Sequence, residues 1–208
     1  MADRRAGAPA PETESEIRNA CWEGEDLTGQ EHTAVAFVDV DFTDAITRGT
    51  TFTGCAFRDS RFNGSRHTDS AFVNCTFTRC RFFDTEFSGC KLVGSMFDRC
   101  TFDLLDVRGG DWSFVGLPGA DLQRAIFRDV RMRDADLTGA RLEGARLRDV
   151  DLGGAWLHGT RLARADLRGS ELSALDPREA DVHGAIVDPD QTVAIALTLG
   201  FDVRIQEE

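Results

Sequence analysis

The stretch that decides the fold runs from Ala120 to Leu172 and reads ADLQRAIFRDVRMRDADLTGARLEGARLRDVDLGGAWLHGTRLARADLRGSEL. A large apolar residue stands at every fifth position of this stretch, and most of these residues are leucine. The residue two places before each of them is usually alanine or valine. We call the large residue the centre of a five-residue unit, or pentad.

The same period continues in both directions, from Ile17 to Val187, without a slip of register. Of these thirty-five centres, only His32, Thr47, His67 and Pro177 are not large apolar residues. Since the whole chain is 41% hydrophobic, chance does not produce such a column. The centres are mostly Phe between about residues 50 and 103, where Cys, Ser or Thr replaces Ala in the small column.

A period of five fits neither the α-helix, with 3.6 residues per turn, nor the strand, which repeats every two residues. It fits a short extended side followed by a corner. Fifteen of the twenty glycines lie two places after a centre, where a corner needs residues that tolerate positive φ. A fixed short period of this kind predicts a solenoid whose coils stack through backbone hydrogen bonds, about 4.8 Å apart.

Pentads such as Ala120-Asp121-Leu122 and Ala165-Asp166-Leu167 resemble the motif of the pentapeptide-repeat family, roughly Ala-(Asp/Asn)-(Leu/Phe)-X-X. The resemblance implies an all-β fold, a right-handed quadrilateral parallel β-helix with four pentads in each coil. We predict three regions. Residues 1–14 form a disordered N-terminal tail, residues 15–187 form the β-helix, and residues 188–208 form a C-terminal helix and extended tail that cap the rod and dimerise.

Two irregular segments interrupt the pattern. Leu104 to Gly119 keeps the period but carries Leu105, Gly110 and Val115 in the small column, which predicts a local distortion or bulge. Pro177 in the centre column predicts a loosened last coil. Beyond it, Asp188 is expected to cap a helix that ends at Gly200. The alternation of Phe201, Val203 and Ile205 with polar residues is typical of a short strand.

The sequence offers little catalytic chemistry. Five cysteines fall in the small inward column and are interpreted as buried structural thiols, whereas Cys21 points outward. The four histidines have no metal-ligand spacing, and His67 is interpreted as a core residue with satisfied hydrogen bonds. No cofactor, metal site or enzymatic activity is predicted. With no apolar run long enough for a membrane span and no secretory leader, the cytoplasm is the expected compartment.

Three stretches are similar to the MfpA branch of the MfpA/Qnr proteins: HTDSAFVNCTF from His67, DWSFVGL from Asp111 and VDPDQTVAIA from Val187. That resemblance implies a protein that binds DNA gyrase, mimics duplex DNA, dimerises through a C-terminal helix and confers fluoroquinolone resistance. It implies no direct contact with nucleic acid. The candidate dimer contacts are Val193, Ile195, Ala196, Leu197, Leu199 and Phe201.

Acidic residues are concentrated at the two ends of the chain. The formal charge is −12 overall, with −1 over residues 1–14, −7 over residues 15–44, +3 over residues 45–169 and −7 over residues 170–208. A dimer joined at its C-terminal ends would therefore be most acidic at its centre. The candidate gyrase-binding residues are Glu171, Asp176, Glu179 and Asp181. The alternative is a structural adaptor whose outer faces bind an unrelated protein.

Overall fold

The computed structural model describes residues 11–204, so most of the predicted N-terminal tail lies outside the described residues. The fold contains sixteen short strands and one helix in the order β1 (Ser15–Arg18), β2 (Glu31–Thr33), β3 (Val35–Val38), β4 (Ile46–Arg48), β5 (Thr51–Thr53), β6 (Ala56–Arg58), β7 (Arg66–Thr68), β8 (Ala71–Val73), β9 (Thr76–Thr78), β10 (Arg81–Phe83), β11 (Glu86–Ser88), β12 (Met96–Asp98), β13 (Thr101–Asp103), β14 (Asp106–Arg108), β15 (Ile126–Arg128), β16 (Arg146–Arg148) and α1 (Gln191–Thr198).

Every strand pair is parallel and joins residues twenty positions apart, for example Phe37 with Phe57 and Val107 with Phe127. One coil therefore contains four pentads, as the resemblance implied. The four sides are named here after their first centres: the Ile17 side (β1-β3-β6-β9-β12), the Trp22 side (β10-β13), the Leu27 side (β4-β7-β11-β14-β15-β16) and the His32 side (β2-β5-β8). The predicted fold class, a right-handed four-sided parallel β-helix with a short C-terminal helix, is confirmed.

Corners form where the residue two places after a centre adopts positive φ, as in Asp44 at 56° and Gly64 at 66°. Glycine, aspartate and asparagine occupy most of these corners because they enter this region at low cost. Gly110 is different, since it lies in the inward small column with φ 91°. A Cβ atom at Gly110 would collide with the carbonyl oxygen of Cys90, so the close approach of two coils requires glycine there.

The centre column fills the axis of the rod. In the first half the phenylalanine rings stack face to face from coil to coil, with centroids 4.8 Å apart for Phe37 and Phe57, 4.8 Å for Phe57 and Phe77, and 4.6 Å for Phe77 and Phe97. In the second half buried leucines such as Leu142 and Leu162 take their place, and the small column is mostly alanine or valine. The two inward columns together form one continuous core.

Among the described residues, the hydrogen-bond ladder between coils is interrupted on the Trp22 side and on the Ile17 side. On the Trp22 side, no backbone bond joins residues 100–104 to residues 120–124 in the described chain, and the edge of the core at Phe102 becomes partly exposed. This gap lies at the two ends of the segment 104–119, in which the distortion was predicted, and the ladder continues through the segment on the Leu27 and His32 sides. On the Ile17 side, Gly159 donates to Glu179 instead of residue 178, the acceptor in register, and residues 176–179 turn away from the rod.

The C-terminal helix lies against the last coil. Its predicted cap is wrong: Asp190 occupies the N-cap position without a side-chain hydrogen bond, and the Asp188 carboxylate instead accepts the Gly169 N–H at 2.8 Å. In the coil before, the equivalent N–H of Asp149 donates to the backbone carbonyl of Arg168, so the Asp188 side chain takes the place of a backbone carbonyl. Gln191 similarly donates through its amide to the Leu167 carbonyl at 2.8 Å. The predicted short strand is also absent over residues 201–204, and Ile205 lies outside the described residues.

Candidate functional site

His67 is a buried structural residue, as predicted. The Thr47 hydroxyl donates to its Nδ1 at 2.9 Å, and its Nε2–H donates to the Ser65 hydroxyl at 3.0 Å, since Ser65 itself donates to the Phe62 carbonyl. The ring is therefore neutral, and burial lowers the pKa of His67 to about 3. With both nitrogens occupied by core hydroxyls, His67 has no position left for a metal or a substrate.

The inward cysteines are also structural. Each thiol donates to a backbone carbonyl of the preceding coil, for example Cys75 to the Phe52 carbonyl at 3.4 Å and Cys90 to the His67 carbonyl at 3.2 Å. Burial raises the pKa of the Cys90 thiol to about 11, so it remains protonated and unreactive. All six cysteines are free, and the residues that the structure describes contain no cluster of three side chains suited to a metal.

The four candidate acidic residues lie around the last coil on three different sides. Glu171 is on the His32 side, Asp176 and Glu179 are on the Ile17 side, and Asp181 is on the Trp22 side. The structure therefore brings only Asp176 and Glu179 together. This distribution follows from the period, because successive pentads occupy successive sides. The acidic end of the rod is a ring rather than a patch.

Local partners modify these charges. Arg178 binds Asp176 through its Nε and its terminal nitrogen, at 2.9 and 2.7 Å, and holds the pKa of Asp176 at about 2. Glu179 accepts from His158 Nδ1 at 3.4 Å, and Asp181 accepts the backbone N–H of His183 at 3.1 Å. Asp176 is thus ionised but already paired, whereas Asp181 makes no ion pair within the described residues.

The candidate dimer residues divide into two groups. Ile195 packs inward against the core, where it lines a small cavity of about 160 Å³ together with Leu167 and Leu175. Leu199 lines the same cavity but is partly exposed, whereas Val193, Leu197 and Phe201 are exposed, the last two to 56% and 66%. Ala196 is half-buried. Ile195 therefore helps to close the end of the rod, and an apolar surface remains on the other side of the helix.

Sequence reasoning missed a column of arginines. Arg108, Arg128, Arg148 and Arg168 occupy the same pentad position on the Leu27 side in four consecutive coils, and the first three are paired in register through β14, β15 and β16. We call these four residues the arginine column. Arg108 binds Asp106 at 2.7 Å and Arg168 binds Asp166 at 2.8 Å. The period of twenty would have revealed the column had the outward positions been sorted by side.

Sequence reasoning also missed a cleft of about 670 Å³ on the Ile17 side. It opens where residues 176–179 leave the ladder, and Trp156 and Leu157 lie along it. Asp136, which carries no distinctive signal in the sequence, also lines this cleft and is only 4% exposed. The cleft has the dimensions of a ligand pocket.

Comparisons with known proteins agree with this architecture. Residues 117–144 and 145–186 match the family model of pentapeptide repeats, and residues 15–102 match the model of the SV2A/B/C luminal domain. The C-terminal half of the rod thus matches pentapeptide repeats, and the rod as a whole has the fold of pentapeptide-repeat proteins. Members of this family are generally non-catalytic structural or adaptor proteins. No curated protein matches the sequence.

Two solved structures resemble the whole rod. HetL, a pentapeptide-repeat protein involved in heterocyst differentiation regulation from the cyanobacterium Nostoc sp. strain PCC 7120, has a TM-score of 0.67 at 23% identity, covering 85% of this chain and 87% of HetL. Trypsin-treated QnrB1, a plasmid-mediated fluoroquinolone resistance protein, has a TM-score of 0.56 at 20% identity, covering 92% and 96%. At these identities the similarity shows the fold alone, and it does not single out the MfpA branch. No helix among the described residues is long and apolar enough to span a membrane.

Proposed function

We propose that this protein is a non-enzymatic DNA mimic that binds DNA gyrase in the cytoplasm and protects it from quinolone-type or natural poisons. The observation that carries the proposal is the placement of charge. Both ends of the rod are strongly acidic, whereas the middle carries a small positive charge. An acidic rod end is complementary to a basic surface that grips DNA.

The exposed side of the C-terminal helix supports a homodimer. Leu197 on the helix and Phe201, just beyond its end, are more than half exposed, and exposed apolar side chains that lie close together favour association. Joining two copies at these helices would place both acidic C-terminal ends at the centre of one long rod. The ring formed by Glu171, Asp176, Glu179 and Asp181 would then flank the dimer axis on both sides.

A test of the dimer is the substitution Leu197→Asp, which places a charge in the apolar contact. Light scattering is expected to give the mass of a monomer for this variant and of a dimer for the wild type. Thr192→Asp is the matched control, because it adds the same charge at an exposed polar position of the same helix. If the wild type is itself a monomer at micromolar concentration, the dimer is wrong and the helix only caps the end of the rod.

A supercoiling assay with purified gyrase tests the function. We expect the wild type to inhibit supercoiling and to reduce drug-stabilised cleavage. Neutralising Glu171, Asp176, Glu179 and Asp181 together should weaken this effect far more than neutralising Asp98, Asp103 and Asp129, which lie in the middle of the rod. Affinity should also fall steeply with salt, since exposed charges are screened beyond about 8–10 Å. Equal losses for both sets would exclude the acidic ring as the contact surface.

The arginine column favours a second candidate function, that of a structural adaptor. Four arginines follow one another in consecutive coils, and Arg128 and Arg148, which lie between the aspartate-paired Arg108 and Arg168, are suited to an acidic protein partner. Replacing Arg128 and Arg148 by Gln would leave gyrase binding unchanged under the first proposal. If the protein has no effect on gyrase and forms no complex with it, the adaptor function is the better account.

A further inference from the structure

The cleft on the Ile17 side contains a buried carboxylate without a cation. Asp136 is the most buried carboxylate of the described residues, 4% exposed, and one of its oxygens accepts the backbone N–H of Thr138 at 3.0 Å. Its second oxygen has no hydrogen-bond partner, and no arginine or lysine forms an ion pair with it, anywhere in the described chain. An unpaired buried charge is unfavourable, so a cation brought by a ligand would be stabilised there.

The wall of the cleft is an open edge of the backbone ladder. In the coil before, Leu137 donates its N–H to Trp156 at 2.9 Å, and Trp156 donates to Ala135 at 2.8 Å. The equivalent groups one coil later, the Leu157 N–H and the Ala155 carbonyl, have no partner within residues 11–204. They lack one because residues 176–179 turn away from the rod. A donor and an acceptor at strand spacing can pair with an extended peptide.

The remaining lining selects for a planar cation. Trp156 is half-buried, lines the cleft and is the ladder neighbour of Asp136, so an aromatic ring is available beside the carboxylate. At the rim, Glu179 contacts only His158 among the charged side chains described, whereas Asp176 is already neutralised by Arg178. A guanidinium group can form paired hydrogen bonds to a carboxylate and stack on an aromatic ring, which an ammonium group does less well.

We propose that the cleft formed by Asp136, Trp156, Leu157 and Glu179 binds an arginine side chain on an extended segment of a protein partner. The guanidinium pairs with Asp136 and lies against Trp156, while the backbone of the segment pairs with Leu157 and Ala155. Glu179 belongs to both this cleft and the proposed gyrase-binding ring, but the two proposals are tested separately, since the test of the cleft uses a peptide and no topoisomerase. Failure of one therefore leaves the other intact.

The experiment is an NMR titration that follows the Trp156 indole N–H and the Leu157 amide. The probe is an acetylated, amidated pentapeptide Gly-Ala-Arg-Ala-Gly, and the control peptide carries citrulline, which has nearly the same shape but no charge. We expect both signals to shift with the arginine peptide and an affinity at least about tenfold lower for citrulline, as the loss of a charge-assisted pair implies. No shift at millimolar arginine peptide, or equal affinities, would overturn the proposal.

Variants of the protein locate the site. Asp136→Asn keeps the shape and the contact to Thr138 but removes the charge, and it should weaken the arginine peptide about tenfold. Asp26→Asn is the matched control, because Asp26 makes the same contact to the N–H of Thr28 at 3.0 Å on another side of the rod. Glu179→Gln at the exposed rim provides a second variant if Asp136→Asn does not fold. If acetyl-arginine amide binds as tightly as the peptide, the backbone pairing is wrong and the occupant is a small cation.

Discussion

Between residues 45 and 103 the core is filled by stacked aromatic rings, whereas between residues 120 and 172 it is filled mainly by leucines. The backbone conformation also differs between the two regions. The first region is mostly three-residue strands, and the second is mostly tight turns in which the centre carbonyl accepts the N–H three residues on, as in Leu122 with Ala125 at 2.9 Å and Leu142 with Ala145 at 3.0 Å. Both regions nevertheless keep twenty residues in each coil.

The small column explains much of this difference. In the first region it contains hydroxyls and thiols that donate to centre carbonyls of the preceding coil, for example Ser95 to Phe72 at 2.6 Å and Cys80 to Phe57 at 3.5 Å. Alanine cannot donate, so in the second region the backbone N–H of the turn satisfies the carbonyl. The two regions show that one coil geometry permits two ways of meeting the same requirement for a hydrogen bond. The matches to the two family models follow the same boundary: one match ends at residue 102 in the aromatic region, and the other begins at residue 117, just before the leucine region.

The largest expected effect is in the aromatic stack. Phe57→Ala should destabilise the protein by about 3–5 kcal/mol, because it removes buried area and leaves a cavity between two stacked rings. Leu142→Ala, at a fully buried centre of the leucine region, should cost less within the range of about 2–5 kcal/mol. Chemical denaturation of both variants measures the difference. A larger loss for Leu142→Ala would mean that stacking adds nothing to the first region.

Overpacking of the small column should have the next largest effect. Ala140 is fully buried, and Ala140→Leu should cost about 1–3 kcal/mol or more because the narrow axis has no room for a larger side chain. Arg146→Leu, an outward change in the same region, should cost well under about 1 kcal/mol. Thermal unfolding compares the two, and equal losses would contradict the assignment of inward and outward positions.

The buried histidine should make the stability of the protein depend on pH between about 3 and about 6.5. His67 has a pKa of about 3 when folded, and about 6.5 is usual for an unfolded chain, so the unfolded state binds more protons between these values. Its contribution is complete above about pH 6.5 and is lost at about 1.4 kcal/mol per pH unit as the pH falls toward about 3. Unfolding free energies at about pH 7 and about pH 5 should therefore differ less in His67→Phe than in the wild type. The same pH dependence in both proteins would show that His67 can be protonated in the fold.

The smallest expected effect concerns the side-chain donors. Ser95→Ala removes the donor to the Phe72 carbonyl and the acceptor of the Cys75 N–H, and it should cost about 1 kcal/mol or somewhat more. Ala145→Ser, the reverse change in the leucine region, should gain little because the turn already satisfies the carbonyl. Denaturation midpoints test the pair. A neutral Ser95→Ala would mean that water or the backbone replaces the hydroxyl.

Much of the candidate site could not be inferred from local sequence. Glu171 and Asp181 are ten residues apart and equally acidic, yet the corners of the coil place them on opposite sides. Ile195 and Leu197 are both apolar, and only the position of the helix against the last coil decides that the first points inward. Asp136 has the same pentad position as many exposed aspartates. Its low exposure is a property of the stacked coils, in which Asp136 pairs across the ladder with Trp156, twenty residues away.

The sequence by itself determined the fold, because the period of five requires a repeated corner and leaves two inward columns whose residues must fill a narrow axis. It also determined the structural roles of His67 and the inward cysteines, which lie in those columns. Only the tertiary structure decided where the ladder opens, since that depends on whether residues 120–124 and 176–179 can reach the coil before them. The cleft at Asp136 and the arginine column arise from contacts twenty residues apart, which become neighbours only when the coils stack.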